Sequence, residues 1–273
     1  MARQFTKSYS HSHSIADDGS VEFGCSTDTA EWPWLTLGSH HPIVIQAQNF
    51  WTSVGAIMAL GGMEDGQWSA LTWTDWHCGD PGTGMAVRGR YEREKSGDDE
   101  TYVVELFDAE GRLIVRMRGR GVVFRNRNFE EWRDKAKSKA QKQADSKTIE
   151  FAPANALGLG ASEHALISQL KNGEAPSFDA LITPENGLPP ANPMLGGSGD
   201  HVNSVHMIET ARQALCLLEV RPNVEVIGGE MELNRYVELG TPFTLQVADI
   251  SGGTTRFSLE QLGRTCAVLT VRT

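Results

Sequence analysis

Two stretches of the chain carry apolar side chains on almost every helical face. The first, HPIVIQAQNFWTSVGAIMALGG at residues 41–62, predicts a helix ended by Gly61 and Gly62. The second predicts a helix over 203–219, with Val205, Ile208, Ala211, Leu215 and Leu218 on its apolar faces. Each is followed by alternating, strand-like segments. After the first come GQWSALTWTDWHCG, GMAVRGRYEREK, TYVVELF and RLIVRMRGRGVVF, the last two joined by a DAEG turn. After the second come NVEVIGGEMELNRYVEL, TPFTLQVADI and TTRFSLEQLGRTCAVLTVRT, with Gly252 and Gly253 at a tight turn. ASEHALISQLKNG, ahead of the second helix, predicts a short helical cover.

A helix apolar all round must be enclosed, and a strand meander needs cover on one face. Wrapping the sheet around the helix meets both needs. The predicted fold is therefore α+β, a double hot-dog: two antiparallel sheets, each around a long central helix, paired as an internal pseudo-dimer, with two ferredoxin-like or other α+β halves as the alternative. The boundaries follow: 1–19 a disordered or extended tail, 20–132 the first domain, 133–147 a basic linker (RDKAKSKAQKQADSK), and 148–273 the second domain. GGSG before Asp200 reads as a flexible entry to the second helix.

Composition narrows the partners. A formal charge of −10 argues against nucleic-acid and anionic-membrane surfaces, because both need clustered positive potential. The start lacks a secretory signal and no run of about 18 apolar residues occurs, so no membrane span and a cytoplasmic location are expected. Cys25, Cys78, Cys216 and Cys266 stand far apart, and WTDWHCGDPG repeats no ligand-pair spacing, so neither a metal site nor a disulfide framework is indicated. GGSG lacks the lysine of a phosphate loop and the strand context of a dinucleotide site, so no cofactor is expected. Arg88, Arg90, Arg116, Arg118 and Arg120 alternate along strands and should line one outer, solvated face.

The candidate chemistry lies on the helices. Laying His41 over His201 puts Gln46 on His206, Asn49 on Glu209 and Ser53 on Gln213, spacings that trace one side of a helix. Glu209 is the only acid on either stripe. A buried carboxylate must be paired, hydrogen-bonded or neutral; an Arg212 partner is one outcome, proton exchange near neutral pH the other. His201 stands at the expected helix entry, where Asp200 or Ser204 could cap and backbone N–H groups could polarise a carbonyl.

DHVNSVHMIETARQAL, with His201, Glu209 and Gln213 in its pattern, resembles the helix motif of A-factor biosynthesis type hot-dog domains, and ELNRYVELGTPFTLQV and FSLEQLGRTCAVLTV resemble their later strands. This resemblance covers about residues 195–273. HHPIVIQAQ and VVELFDAEGRLIVRMRG resemble, more distantly, the dehydratase hot-dog domains of polyketide synthases, with Gln46 near the place of their catalytic aspartate. The resemblance implies an enzyme on acyl-CoA or acyl-carrier-protein thioesters, foremost a 3-hydroxyacyl dehydratase. Thioesterase, A-factor-like condensation and non-catalytic acyl binding are the alternatives. Because related dehydratases draw histidine and acid from opposite halves, it implies His41 with Glu209 as the catalytic pair. His201, Asn49, His206, Gln213 and Gln46 would then contact substrate, and further homo-oligomerisation is open.

Overall fold

The computed structural model describes residues 7–63, 68–96, 99–124, 129–143, 148–161, 163–196 and 200–273. The chain divides into two compact units, Met1–Asn126 and Arg127–Thr273.

The first unit holds strands β1 (Ser10–Ile15) and β2 (Val21–Cys25), helix α1 (Pro42–Ala59), and strands β3 (Trp68–Cys78), β4 (Arg88–Ser96), β5 (Asp99–Phe107) and β6 (Leu113–Phe124). Its strands are ordered β1-β2-β4-β5-β6-β3, with antiparallel pairing throughout. Pro42 opens α1 with its φ already helical and no N–H to satisfy. The helix packs against β1, β2, β4 and β5 and buries Ile43, Val44, Ile45, Ala47, Val54 and Ala56. The β5–β6 turn is fixed by Asp108, fully buried, which accepts from Arg112 N–H at 2.9 Å and from Gly84 N–H at 3.2 Å. Gly111 turns there at φ 81°, a conformation that costs a side-chain-bearing residue strain.

The second unit holds α2 (Phe129–Gln143), β7 (Ser177–Ala180), α3 (Pro184–Gly187), α4 (Ser204–Leu218), β8 (Gly228–Leu233), β9 (Phe243–Ser251), β10 (Thr254–Gln261) and β11 (Arg264–Arg272). Its strands are ordered β8-β11-β10-β9-β7. The plan of the first unit recurs: the strand following the long helix pairs with the last strand, and the three later strands form a meander. A further strand from before the helix, β2 or β7, extends the meander on β4 or β9.

Several expectations need correction. The segment 1–19, expected to be disordered or extended, is extended over β1, whose partner β2 also precedes α1; residues 1–6 lie outside the described residues. The basic segment 133–147, expected as a solvated linker or the exposed tail of a helix, is helical through Gln143, but it is not all exposed: its first residue, Arg133, is 2% exposed; residues 144–147 lie outside the description. ASEHALISQLKNG is not helical among its described residues. It runs extended, with Ser168 N–H donating to Asp179 O at 2.8 Å and Leu181 N–H to Leu166 O at 3.1 Å, while Leu166 and Ile167 are fully buried. Pairing at the β7 edge outweighs local helix propensity. Of the GGSG entry, 197–199 lie outside the described residues.

The arginines of β4 and β6 sit among carboxylates. Arg116 reaches Glu105 at 2.9 Å, Arg90 reaches Asp18 at 2.6 Å, and Arg118 reaches Asp75 at 3.0 Å. No helix among the described residues is long and apolar enough to cross a membrane.

Candidate active site

On α1, His41 is the N-cap: its Nδ1 accepts from Ile43 N–H at 3.3 Å. The imidazole is half-buried. One turn on, Gln46 is fully buried and neither end of its amide meets a hydrogen-bond partner. Asn49 is fully committed. It donates to Thr74 Oγ1 at 3.0 Å and accepts from the Tyr102 hydroxyl at 3.1 Å, fastening α1 to β3 and β5. Burial pushes the Tyr102 phenol well above its ordinary value, so it stays a donor.

On α4, Glu209 and Gln213 lie on one face as their spacing implies, and Arg212 joins them. Arg212 Nε donates to Glu209 Oε2 at 2.8 Å and Nη2 to Oε1 at 2.7 Å; Gln213 Nε2 adds a third bond to Oε1 at 2.9 Å. Gln213 Oε1 accepts from Leu166 N–H at 2.9 Å, and Arg212 Nη1 donates to Leu157 O at 3.3 Å. All three residues are at most 4% exposed. Burial works against the guanidinium charge, yet the adjacent Glu209 carboxylate raises Arg212 above its ordinary value. A carboxylate so bound is an acceptor with both oxygens in use.

The cap of α4 is Asn203, where Asp200 or Ser204 was expected. Its Oδ1 accepts from Val205 and His206 N–H at 3.0 and 3.3 Å, while His206 Nδ1 accepts from Asn203 N–H at 3.1 Å. Those helix-start N–H groups, expected to polarise a substrate carbonyl, are therefore already donated. His206 Nε2 donates to Gly187 O at 2.7 Å, tying α3 to α4.

Burial lowers the His206 imidazole from 6.5 to about 4, against the raising effect of its Gly187 bond. Between those values the unfolded chain holds more protons than the folded one, so stability falls as pH drops. The contribution is whole above 6.5 and lost by about 4, a total of about 3 kcal/mol. Urea unfolding of wild type and His206→Gln from about pH 7 to about pH 4.5 checks it: the variant should lose most of the wild-type slope, and equal slopes would remove His206 as the cause.

Around Asp200 the fold gathers Arg133 and Lys137, and Arg133 also binds Glu238, partners that the local spacing does not indicate. Asp200, just before α4, is 8% exposed. Arg133 Nε from α2 donates to its Oδ2 at 2.8 Å, and Lys137 pairs with its other oxygen. Burial would raise the Asp200 carboxyl, but His201, Lys137 and Arg133 hold it far below the usual carboxylate range. His201 Nδ1 lies 3.6 Å from Asp200 Oδ2, and its ring meets Tyr236 edge-on, centroids 4.7 Å apart. With its side chain 23% exposed, His201 touches both the buried carboxylate and the surface. The available signal was Arg133 itself, an arginine beside Trp132 at the start of a lysine run. A buried imidazole edge beside an ionised carboxylate can take and return a proton.

Comparison with known proteins adds the fold. By sequence the chain matches no protein-family model and no curated relative. By structure it is similar to HtdX of Mycobacterium tuberculosis, at 13% identity and TM-score 0.52 over 93% of this chain and 99% of that one. It is similar also to a fusion DH domain, at 10% identity and TM-score 0.51 over 96% and 90%. The 12:0-ACP thioesterase from Umbellularia californica matches at 12% identity and TM-score 0.50 over 84% and 88%. At these identities the likeness speaks for the fold: this chain is α+β with the hot-dog fold.

Proposed function

We propose that the chain is an enzyme acting on acyl thioesters, carried on CoA or an acyl carrier protein, and that its reaction is reversible loss of water from a 3-hydroxyacyl thioester. The observation that carries this reading is His201, at the entry to α4, beside an ionised and anchored Asp200. Elimination breaks a C–H bond at C2 and the C–O bond at C3, forms the C2–C3 double bond, and releases the hydroxyl as water. His201 takes the C2 proton and passes it to the leaving hydroxyl, which departs as water; Asp200, 3.6 Å from Nδ1, offsets the positive charge that the imidazole carries between those two transfers. His41, at the entry to α1, is the second proton-exchanging candidate.

Glu209 takes a supporting role in this reading. What supports that assignment is its two-point bond to Arg212 and its third bond to Gln213. His206 and Asn49 are scaffolding in this reading, since their side chains bond within their own units.

A panel of 3-hydroxyacyl, 2-enoyl and saturated acyl thioesters, on CoA and on a carrier protein and read by mass spectrometry, tests the reaction. Interconversion of 3-hydroxyacyl and 2-enoyl forms is the expected result. Free acid and thiol would instead mean hydrolysis, an ester product with a hydroxylated acceptor would mean condensation, and binding without turnover would mean an acyl-binding protein.

A further inference from the structure

We propose that Arg133 is the positioning residue of the His201 centre, fixing from α2 both the Asp200 carboxylate that faces the imidazole and the Tyr236 ring that walls it. The inference rests on His201 as the proton-exchanging group. Arg133 grips Asp200 twice, Nε to Oδ2 at 2.8 Å and Nη2 to the backbone oxygen at 3.3 Å. On its other side Nη1 and Nη2 each donate to one Glu238 carboxylate oxygen at 2.7 Å. Its guanidinium carbon lies 4.1 Å from the Tyr236 ring centre, and that ring meets His201. One side chain thus holds the carboxylate and the aromatic wall of the same imidazole.

The arginine is 2% exposed, whereas Lys135, Lys139 and Lys142 of the same helix stay in water. Apolar packing could anchor α2 without the several kcal/mol that desolvating a guanidinium costs. What the ionic clasp adds is direction: lysine cannot bridge two carboxylates in a plane as arginine does. Among the described residues, the charged and titratable groups around His201 include Asp200 on its own segment, Arg133 and Lys137 on α2, Tyr236 and Glu238 after β8, and His206 on α4. Arg133 and Lys137 balance Asp200 and Glu238, so removing Arg133 leaves the imidazole facing an excess of negative charge.

The test uses the full chain as Arg133→Met, Arg133→Lys and the charge-balanced Arg133→Met with Glu238→Gln, with His201→Ala as reference. The His201 ring titration is followed by NMR, and kcat and KM are measured on the active thioester. In Arg133→Met the titration should rise by about half a unit or more, and kcat should fall on the order of 100-fold with KM nearly unchanged. Arg133→Lys should bring the titration back while leaving kcat low. The charge-balanced variant guards against misfolding and should keep the kcat loss with a near-normal titration. A folded Arg133→Met with unshifted titration, or with unchanged kcat, overturns the proposal. If His201→Ala itself keeps turnover, the reading of His201 fails; if His201→Ala loses turnover and Arg133→Met does not, only the clasp fails.

Discussion

Arg212→Met is expected to destabilise the protein by about 3–5 kcal/mol, the usual cost of stranding one member of a buried ion pair. Glu209 is 2% exposed, and Arg212 donates to both of its carboxylate oxygens. Without the guanidinium, the carboxylate loses its counter-charge and two donors at a position that bulk water does not reach. The Leu157 carbonyl also loses its Nη1 donor. The loss is specific to the stranded charge, so Arg212→Met combined with Glu209→Gln should recover a large part of it. Urea unfolding of the wild type, both single variants and the double variant measures the coupling. A loss under about 1 kcal/mol for Arg212→Met would mean that α4 does not depend on the pair.

His201→Ala should lower kcat by about 100- to 10,000-fold, the range for a positioned general base or acid. The fold should be retained, because the imidazole is partly exposed, its Nδ1 has no hydrogen-bond partner among the described residues, and Asn203 supplies the α4 cap. Glu209→Gln is the informative contrast. Glutamine keeps the shape but leaves Arg212 without its counter-charge, so stability falls; turnover per folded molecule should stay within about tenfold, well short of the loss of an acid–base group. The opposite pattern, an active His201→Ala and a folded but dead Glu209→Gln, returns the acid to Glu209, and His41→Ala then shows whether the imidazole at the α1 entry is its partner.

The two long helices were legible because their apolar positions leave no water-facing side, and β3 to β6 and β8 to β11 because alternation and glycine turns mark them. The polar stripe was legible too: Glu209 and Gln213 do share a face of α4. Their partners were harder to read. Arg212 had been weighed as a mate for Glu209, since three residues on a helix bring side chains together. Asn49 looked equally free for substrate, but Thr74 and Tyr102 come from distant strands and use both ends of its amide.

What the sequence determined by itself is therefore periodic: helix against strand, the repeated order of elements, and which helix face is polar. These depend on neighbours a few residues apart, whose spacing the chain geometry fixes. The tertiary structure decided the partners. Whether a buried carboxylate is a reagent or one end of an ion pair depends on the atoms within about 3 Å of it. Arg133 and Glu238, far apart in the chain, reach hydrogen-bonding distance only in the folded unit. Arg133 read as part of a solvated basic run, and the fold made it the buried clasp beside His201. Charge in a sequence has no environment; burial supplies one, and with it the role.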